Sequence, residues 1–220
     1  MKRYLPFVIV AVVGLITATA ATMLYRAKRV PTATLELSPA EKTPNKWLHV
    51  RGKADAPVTL EEYGDFQCPP CGALSEPLNK LEEEYRGRLR LIFHHLPLKN
   101  HQHARAAALA AEAAAMQSKF WEMHDILYRE QAVWSKAGDV SELFNSYAGI
   151  IGLDLARFKK DSAGGEAAVR VDADSRRAET MKITTTPTIF INNQLVPASS
   201  LNPAALHSEI DEALQKRETK

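Results

Sequence analysis

The chain has little cysteine: among 220 residues there are two, and two residues separate them. A number this small excludes a scaffold held together by several disulfides, which would need more pairs. Internal repeats are also missing. Outside the first 29 residues, 23 basic residues face 26 acidic ones, and the bases form no cluster. We therefore predict no nucleic-acid partner, because such a partner would require clustered bases on the folded domain.

Acidic residues are missing from the first 29 positions, and charge of either sign is missing from residues 5–25. About 20 apolar residues are enough for a helix that spans a bilayer. A cleaved signal peptide also fits, because residues 18–20 read Ala-Thr-Ala, the small residues of a cleavage site. We therefore predict that residues 1–29 form a signal anchor or a signal peptide, with membrane contact through residues 5–25.

The segment that follows has the composition of a linker. Residues 30–47 hold three prolines and show no helical periodicity. Such a segment is typical of an extended tether. We predict a tether at residues 30–48 and a folded domain at residues 49–220.

Hydrophobic spacing within the domain predicts alternating strands and helices. The predicted strands lie at residues 58–63, 89–95, 188–192 and 195–197, with a turn at Asn193-Gln194. Predicted helices follow the cysteines, fill about residues 101–160, continue to about 181 and begin again at 203. The order is strand, helix, strand, helical block, helix, strand, strand, helix, which indicates an α/β fold.

The two cysteines form the sequence Cys68-Pro69-Pro70-Cys71, between a predicted strand and a predicted helix. Structural zinc sites need four ligands, and the histidines of this chain lack the usual spacing for the missing two, so we predict no metal. An inert disulfide would close a very short loop, for which the entropic benefit is small. Idle thiols are uncommon in exported proteins, where thiols tend to oxidise. A redox-active pair explains this position best.

The position of the pair also predicts different chemistry for its two sulfurs. Pro69 and Pro70 suit the first helical turn, where a missing N–H group is not needed. Cys68 then lies at the helix N-terminus, where free N–H groups and the helix dipole favour a thiolate. Such a thiolate is the nucleophile and the better leaving group, and Cys71 would resolve the mixed disulfide. No cofactor is needed, because the two sulfurs carry the electrons.

Three segments of the sequence resemble the DsbA-like branch of the thioredoxin superfamily. They are EEYGDFQCPPC at residues 61–71, KFWEMHD at residues 119–125 and Thr-Pro-Thr at residues 186–188. The resemblance implies an α/β thioredoxin fold with an inserted helical domain, which we place at about residues 98–162. It also implies disulfide exchange with proteins that fold outside the cytoplasm.

The resemblance implies roles for residues away from the cysteines as well. Thr186-Pro187 matches a loop with a cis proline, which would expose the backbone of Thr186 to an extended substrate. A trans proline entering an edge strand is the alternative. Glu62 matches a buried acid beneath the cysteines, which can exchange a proton with the second thiol. Glu61 is the alternative, because strand alternation turns one of the two inward.

The histidines show one departure from the family pattern. Strongly oxidising members often have a histidine before the second cysteine, where this chain has Pro70. The direction of net electron flow therefore stays open. His94 and His95 end a predicted strand and should face opposite ways. The remaining candidates are predicted to be helical surface or packing residues: His101, His103 and His124.

The resemblance implies an extracytoplasmic thiol–disulfide oxidoreductase that oxidises cysteines of exported proteins. A reductase or isomerase of the same fold, a cytochrome-maturation or metal-delivery reductase, and a non-catalytic peptide-binding holdase are the alternatives. A separate dimerisation domain would favour an isomerase, and the tether is too short to hold one. As an oxidase the protein would need a membrane redox partner that reoxidises it. The expected location is the bacterial cell envelope, anchored in the cytoplasmic membrane and facing outward, or periplasmic after cleavage.

Overall fold

The computed structural model describes residues 49–218 of the chain. The predicted signal or anchor segment, its membrane contact at residues 5–25 and the tether at residues 30–48 lie outside the described residues. Between residues 49 and 218, no helix has both the length and the apolar character needed to cross a bilayer. All of the predicted site residues lie within this range.

A mixed five-stranded sheet forms the centre of the domain. Its strands are β1 (His49–Gly52), β2 (Val58–Gly64), β3 (Leu89–His95), β4 (Thr188–Ile191) and β5 (Gln194–Leu195). They lie in the order β1-β3-β2-β4-β5. Strands β2 and β3 are parallel, and the other neighbouring pairs are antiparallel. Strand β2 is therefore central, and the cysteine segment begins at its carboxyl end.

Two helices cover one face of the sheet. Helix α1 (Pro69–Glu84) connects β2 to β3, which accounts for their parallel pairing, and the last helix, α8 (Pro203–Glu218), packs beside it. Both helices bury aliphatic side chains against the strands, and the shared core includes Leu60, Leu74, Leu78, Leu81, Leu91, Ile189, Leu206 and Ile210. Because side chains alternate along a strand, Glu62 lies on the same face of β2 as Leu60.

The opposite face of the sheet packs against helix α7 (Gly165–Thr180). Tyr63 of β2 and Phe190 of β4 form a small buried cluster there with Ala178. The sheet is therefore covered on both faces, as an α/β fold requires.

A block of helices lies between β3 and α7 along the chain. It consists of α2 (Ala104–Ala115), α3 (Phe120–Arg129), α4 (Gln131–Trp134), α5 (Ser141–Ile150) and α6 (Leu155–Ser162). The small alanines of α2 pack against larger side chains of α3 and α4, such as Met123, Leu127 and Trp134. The same core contains Phe66, Cys68 and Cys71. The helical block therefore packs directly on the cysteine segment.

Strand β1 is missing from the elements predicted by sequence. Its four residues are too few to show a clear alternation. The structure holds it by antiparallel pairing with β3 and by Trp121, whose Nε1 donates to the carbonyl of Val50 at 3.0 Å. Contacts from distant parts of the chain therefore make this segment a strand.

The turn of the final hairpin lies one residue earlier than predicted, and the last strand ends at Leu195 rather than at residue 197. Asn193-Gln194 is the predicted turn, whereas Gln194 is already part of β5. The turn residues are Asn192 and Asn193, with positive φ values of 47° and 67°. Two residues of this conformation join antiparallel strands with the correct twist, and asparagine tolerates them better than most residues do. The predicted start of the last strand is wrong for this reason.

Candidate active site

Cys68 and Cys71 lie where β2 passes into α1. Cys68 is the N-cap residue of α1, and the two prolines occupy its first helical positions. Both cysteines are free thiols. Cys68 keeps 5% of its surface exposed and Cys71 keeps none. An incoming sulfur therefore reaches Cys68 first.

The two thiols differ strongly in acidity. The pKa of Cys68 is lowered to about 6, because its thiolate accepts hydrogen bonds from the Cys71 thiol and from Thr186. At pH 7 the thiolate then outnumbers the thiol by about ten to one. The pKa of Cys71 is raised far above its ordinary value by burial, by its hydrogen bond with Cys68 and by the charge of Glu62. One sulfur is thus a nucleophile at neutral pH, while the other stays protonated.

The loop before β4 approaches Cys68 from the other side. The Thr186–Pro187 peptide bond is cis, so the prediction of a cis proline is confirmed and the trans alternative is wrong. Cys68 Sγ lies 3.4 Å from the carbonyl oxygen of Thr186. Thr186 Oγ1 is buried and has no hydrogen-bond partner in the described part of the chain. The hydroxyl is therefore free to donate to Cys68 once this residue is a thiolate, and this hydrogen bond contributes to the lowered pKa of Cys68.

The two candidate glutamates of β2 face opposite sides of the sheet. Glu61 accepts a hydrogen bond from Arg177 at 3.3 Å and lies 3.1 Å from His94 Nε2, on the side of α7. Glu62 lies on the cysteine side with 5% of its surface exposed, and none of the residues from 49 to 218 bonds to its Oε1. Burial, followed by the charge of Cys68, raises the pKa of Glu62 to about 8. Glu62 is thus the carboxyl that can hold a proton near Cys71.

Two glutamines fasten the cysteine segment to the helical block. Gln131 Nε2 donates to the carbonyls of Phe66 at 2.7 Å and Cys68 at 2.9 Å. Gln67 Nε2 donates to the carbonyl of Ser135 at 3.3 Å, and Gln67 Oε1 accepts from the backbone N–H of His103 at 2.6 Å. Sequence reasoning missed both glutamines. Gln131 lies 63 residues from Cys68 in the chain, and no local pattern marks such a contact.

Replacement of Gln131 by alanine should loosen the segment that presents Cys68. Two carbonyls would lose their donor, so we expect the free energy of unfolding to fall by about 1–3 kcal/mol. Chemical denaturation measures this change, and the alkylation rate of Cys68 reports on its presentation. Val133→Ala on the same helix is the control, because Val133 is 56% exposed. Equal stability of the two variants would contradict the role of Gln131.

Of the two predicted roles for His101, His103 and His124, surface and packing, burial supports packing for two of them. His103 and His124 are 7% and 3% exposed, so they are packing residues. His101 Nδ1 lies 2.7 Å from Asp65 Oδ2, close to the cysteine segment. His94 and His95 face opposite ways, as predicted: His94 Nδ1 lies 3.2 Å from Asp174 and His95 Nε2 lies 3.0 Å from Glu112.

Three side chains of metal-binding type meet away from the cysteines: His49, His95 and Glu112. Oε1 of Glu112 lies 2.6 Å from His49 Nε2 and 3.0 Å from His95 Nε2. Arg170 donates to the other oxygen of Glu112 at 3.4 Å. The carboxylate thus has hydrogen bonds from two imidazoles and a guanidinium that balances its charge. These contacts account for the cluster as a structural link between β1, β3 and α2.

Comparison with curated proteins finds relatives that are much longer than this chain. The Na(+)/H(+) antiporter NhaA 1 of Salinispora arenicola is 41% identical over 147 residues, which are 66% of this chain and 22% of that protein. NhaA 3 of Salinispora tropica is 42% identical over 147 residues, with the same coverage of 66% and 22%. The chain spans about a fifth of the length of these relatives.

Solved structures share the fold over most of the domain. BdbD from Bacillus subtilis, in its oxidised form, has a TM-score of 0.70 and 26% identity, and the match covers 77% of this chain and 94% of that one. DsbA2 from Pseudomonas aeruginosa has a TM-score of 0.59 and 27% identity, with 74% and 93% covered.

The sequence profile of the family described as thioredoxin matches residues 45–212. This range includes the whole sheet, the cysteine segment and the helical block. The profile and the structural neighbours agree with the observed α/β sheet and helices. The chain belongs to the thioredoxin family, in its DsbA-like branch of thiol–disulfide oxidoreductases.

Proposed function

We propose that the protein oxidises cysteine pairs of exported proteins through a disulfide between Cys68 and Cys71. The observation that carries this proposal is the asymmetry of the two thiols. Cys68 has a pKa of about 6, whereas the pKa of the buried Cys71 is raised far above its ordinary value. A thiolate that is stable at neutral pH stabilises the reduced pair, and a stable reduced pair makes its disulfide a stronger oxidant.

The exchange proceeds in two displacements. A substrate thiolate attacks the sulfur of Cys68, the Cys68–Cys71 bond breaks, and its electron pair passes to Cys71. Glu62 gives Cys71 a proton, because the buried Cys71 does not persist as a thiolate. A second substrate thiolate then attacks the substrate sulfur of the mixed disulfide, and Cys68 leaves as a thiolate. Two substrate cysteines are thereby oxidised, and the enzyme pair is reduced.

The backbone beside Cys68 suits an extended peptide as substrate. Cys68 Sγ lies 3.4 Å from the carbonyl of Thr186, so a strand that pairs with this segment would bring its own cysteine to the same sulfur. Pairing through main-chain groups tolerates many sequences, as a general oxidant requires. The proposal also includes a membrane redox partner that reoxidises the pair and a location in the bacterial cell envelope. Thr186 and Pro187 are the proposed substrate-binding residues.

The redox potential of the pair tests the direction of the reaction. Thioredoxin, with a cysteine pKa of about 7, has a potential of about −270 mV, and DsbA, with about 3.5, has about −120 mV. A pKa of about 6 for Cys68 lies between them. We therefore expect a potential above about −230 mV when the full-length chain is equilibrated with glutathione.

A reductase of the same fold is the second candidate, and one observation favours it. Pro70 occupies the position where strongly oxidising members often carry a histidine, so one source of thiolate stabilisation is missing. A potential below about −230 mV would support the reductase and contradict the oxidase. A folded protein without any exchange with glutathione would contradict both.

A further inference from the structure

The KFWEMHD segment, at residues 119–125, carries part of the family resemblance, yet the exchange reaction described above does not use it. Its aromatic residues have clear packing roles. Phe120 stacks on His49 with ring centres 3.5 Å apart, and Trp121 bonds to β1. His124 and Asp125 are polar, and His124 is only 3% exposed. A buried imidazole on the helix that packs against α1 needs its own explanation.

A small cavity lies between the sheet, α1 and α3. Its volume is about 10 Å³, which is about the room that one water molecule needs. Apolar neighbours line most of it. Four polar side chains also line it: Glu62, Ser75, Asn79 and His124. The cavity therefore connects the face of β2 that carries Glu62 with the polar residues of α3.

Hydrogen bonds continue from the cavity toward the surface. His124 Nδ1 lies 2.9 Å from Asp125 Oδ1, Asn79 donates to the same oxygen at 3.3 Å, and Arg51 donates to Oδ2 at 2.7 Å. The side chain of Asp125 is 37% exposed. The chain of polar groups thus runs from the buried cavity to a carboxylate in contact with solvent.

The bond to Asp125 determines where His124 carries its proton. Burial raises the pKa of Asp125, but its hydrogen bonds with His124 and Arg51 outweigh this effect and lower the pKa to about 2. An ionised carboxylate can only accept, so Nδ1 of His124 must be the donor. Burial lowers the pKa of His124. The imidazole is therefore neutral at pH 7, and its Nε2 can accept a proton and pass another on through Nδ1.

We propose that His124 and Asp125 form a proton route, through which the carboxyl of Glu62 exchanges protons with solvent across the cavity. This inference rests on the proposed function, because Glu62 exchanges protons only if Cys71 takes part in turnover. Glu62 is 5% exposed and Cys71 is 0% exposed. Each reduction of the pair moves one proton from Glu62 to Cys71. The buried carboxylate of Glu62 then needs a route by which a proton from solvent replaces it.

Other titratable groups face the two ends of this route. Glu62 faces Cys68 at the N-cap of α1, Cys71 within α1 and Tyr128 of α3. His124 faces Arg51 of β1 and His95 of β3 in addition to Asp125. Burial raises the pKa of Tyr128 well above its ordinary value, so its hydroxyl does not act as a base. Of these groups, His124 and Asp125 form the pair that links the cavity to the surface.

The proton route is tested by the single-turnover oxidation of a dithiol peptide by the oxidised full-length protein, at pH 6 and pH 9. At pH 6 Glu62, with a pKa of about 8, already holds the proton that Cys71 needs. At pH 9 Glu62 is ionised, so the proton must enter from solvent. We expect His124→Gln and Asp125→Asn to match the wild-type rate at pH 6 and to be about tenfold slower at pH 9.

The equilibrium constant of the Cys68–Cys71 pair with glutathione separates a proton route from a structural role, because a proton route changes rates and leaves equilibria unchanged. His207→Gln is the matched control, since His207 has a side chain that is 41% exposed and pairs with Glu84. Wild-type rates at pH 9 in both variants would overturn the proposed proton route. Equal slowing at both pH values, or an altered equilibrium constant, would overturn it as well. If His124→Gln fails to fold, the half-exposed Asp125→Asn decides alone. A wild-type protein that oxidises no peptide would contradict the proposed function itself.

Discussion

Replacement of Cys68 by serine is expected to reduce disulfide exchange to the level of the buffer, with the fold retained. Cys68 supplies the sulfur that a substrate reaches first, since Cys71 has no exposed surface. A hydroxyl cannot form the disulfide and is not ionised at neutral pH. Oxidation of a dithiol peptide, followed by thiol titration, measures the loss. Serine also keeps a polar side chain at the N-cap of α1, so the helix should begin at the same residue.

Cys71→Ser is the counterpart that distinguishes loss of the nucleophile from loss of the fold. Its Cys68 can still attack a substrate disulfide, but the mixed disulfide then has no second thiol to resolve it. We expect this variant to accumulate a covalent adduct that mass spectrometry detects, whereas Cys68→Ser forms none. An adduct on Cys71 in the Cys68→Ser protein would contradict the assigned order of attack.

Replacement of Glu62 by glutamine is expected to slow proton transfer with Cys71 and to stabilise the protein at alkaline pH. The amide cannot give or take the proton, so we expect this step to slow by about a hundredfold. Stopped-flow measurement of the approach to equilibrium reports the rate. The loss should be visible at pH 7, where wild-type Glu62, with a pKa of about 8, mostly holds a proton for Cys71.

The effect of Glu62 on stability follows from the direction of its pKa shift. Burial raises the pKa of Glu62 from 4.5 to about 8, so the folded state holds a proton that the unfolded state releases between these values. Stability is therefore unaffected below about pH 4.5, falls as the pH rises, and stays lowered above about pH 8. Glutamine removes this dependence. We expect Glu62→Gln to gain on the order of a few kcal/mol relative to wild type between pH 5 and pH 9.

Glu61→Gln is the matched control, because Glu61 is the neighbouring carboxyl and lies on the opposite face of β2. Burial raises the pKa of Glu61, but the hydrogen bond with His94 and the charges of His94 and Arg177 outweigh this and lower it. The ionised form of Glu61 therefore stabilises the fold above its unfolded pKa, and stability is lost as the pH falls. Glu61→Gln should lower stability at pH 7 and leave the exchange rate unchanged. Denaturation curves from pH 5 to pH 9 that move in the same direction for both variants would contradict these assignments.

Residues in regular patterns were predictable without coordinates. Alternating and three-to-four spacing placed β2, β3, β4, α1 and α8, because burial against a sheet imposes these periods directly on the sequence. The α/β class followed from their order. The position of Cys68 at the start of α1 was also predictable, since two prolines can stand together in the first helical turn and not within a strand.

The residues around the cysteines were predictable only in part. The resemblance placed Thr186-Pro187 near Cys68, and the cis bond is present. It favoured Glu62 as the buried acid and kept Glu61 as the alternative, because alternation alone says that they face opposite ways and not which face holds the cysteines. Their contacts answer this: Glu61 pairs with Arg177 of α7, and Glu62 raises the pKa of Cys71.

By itself, the sequence determined the α/β class, the Cys68–Cys71 pair and its position at a helix start, because these depend on neighbours within a few residues. The tertiary structure alone decided that Gln131 holds the Cys68 carbonyl from 63 residues away and that His124 lines a cavity beside Glu62. It also decided that β1 is a strand. Each of these depends on groups that meet only when the helical block packs on the sheet, and hydrogen bonds and burial across such distances leave no period in the sequence.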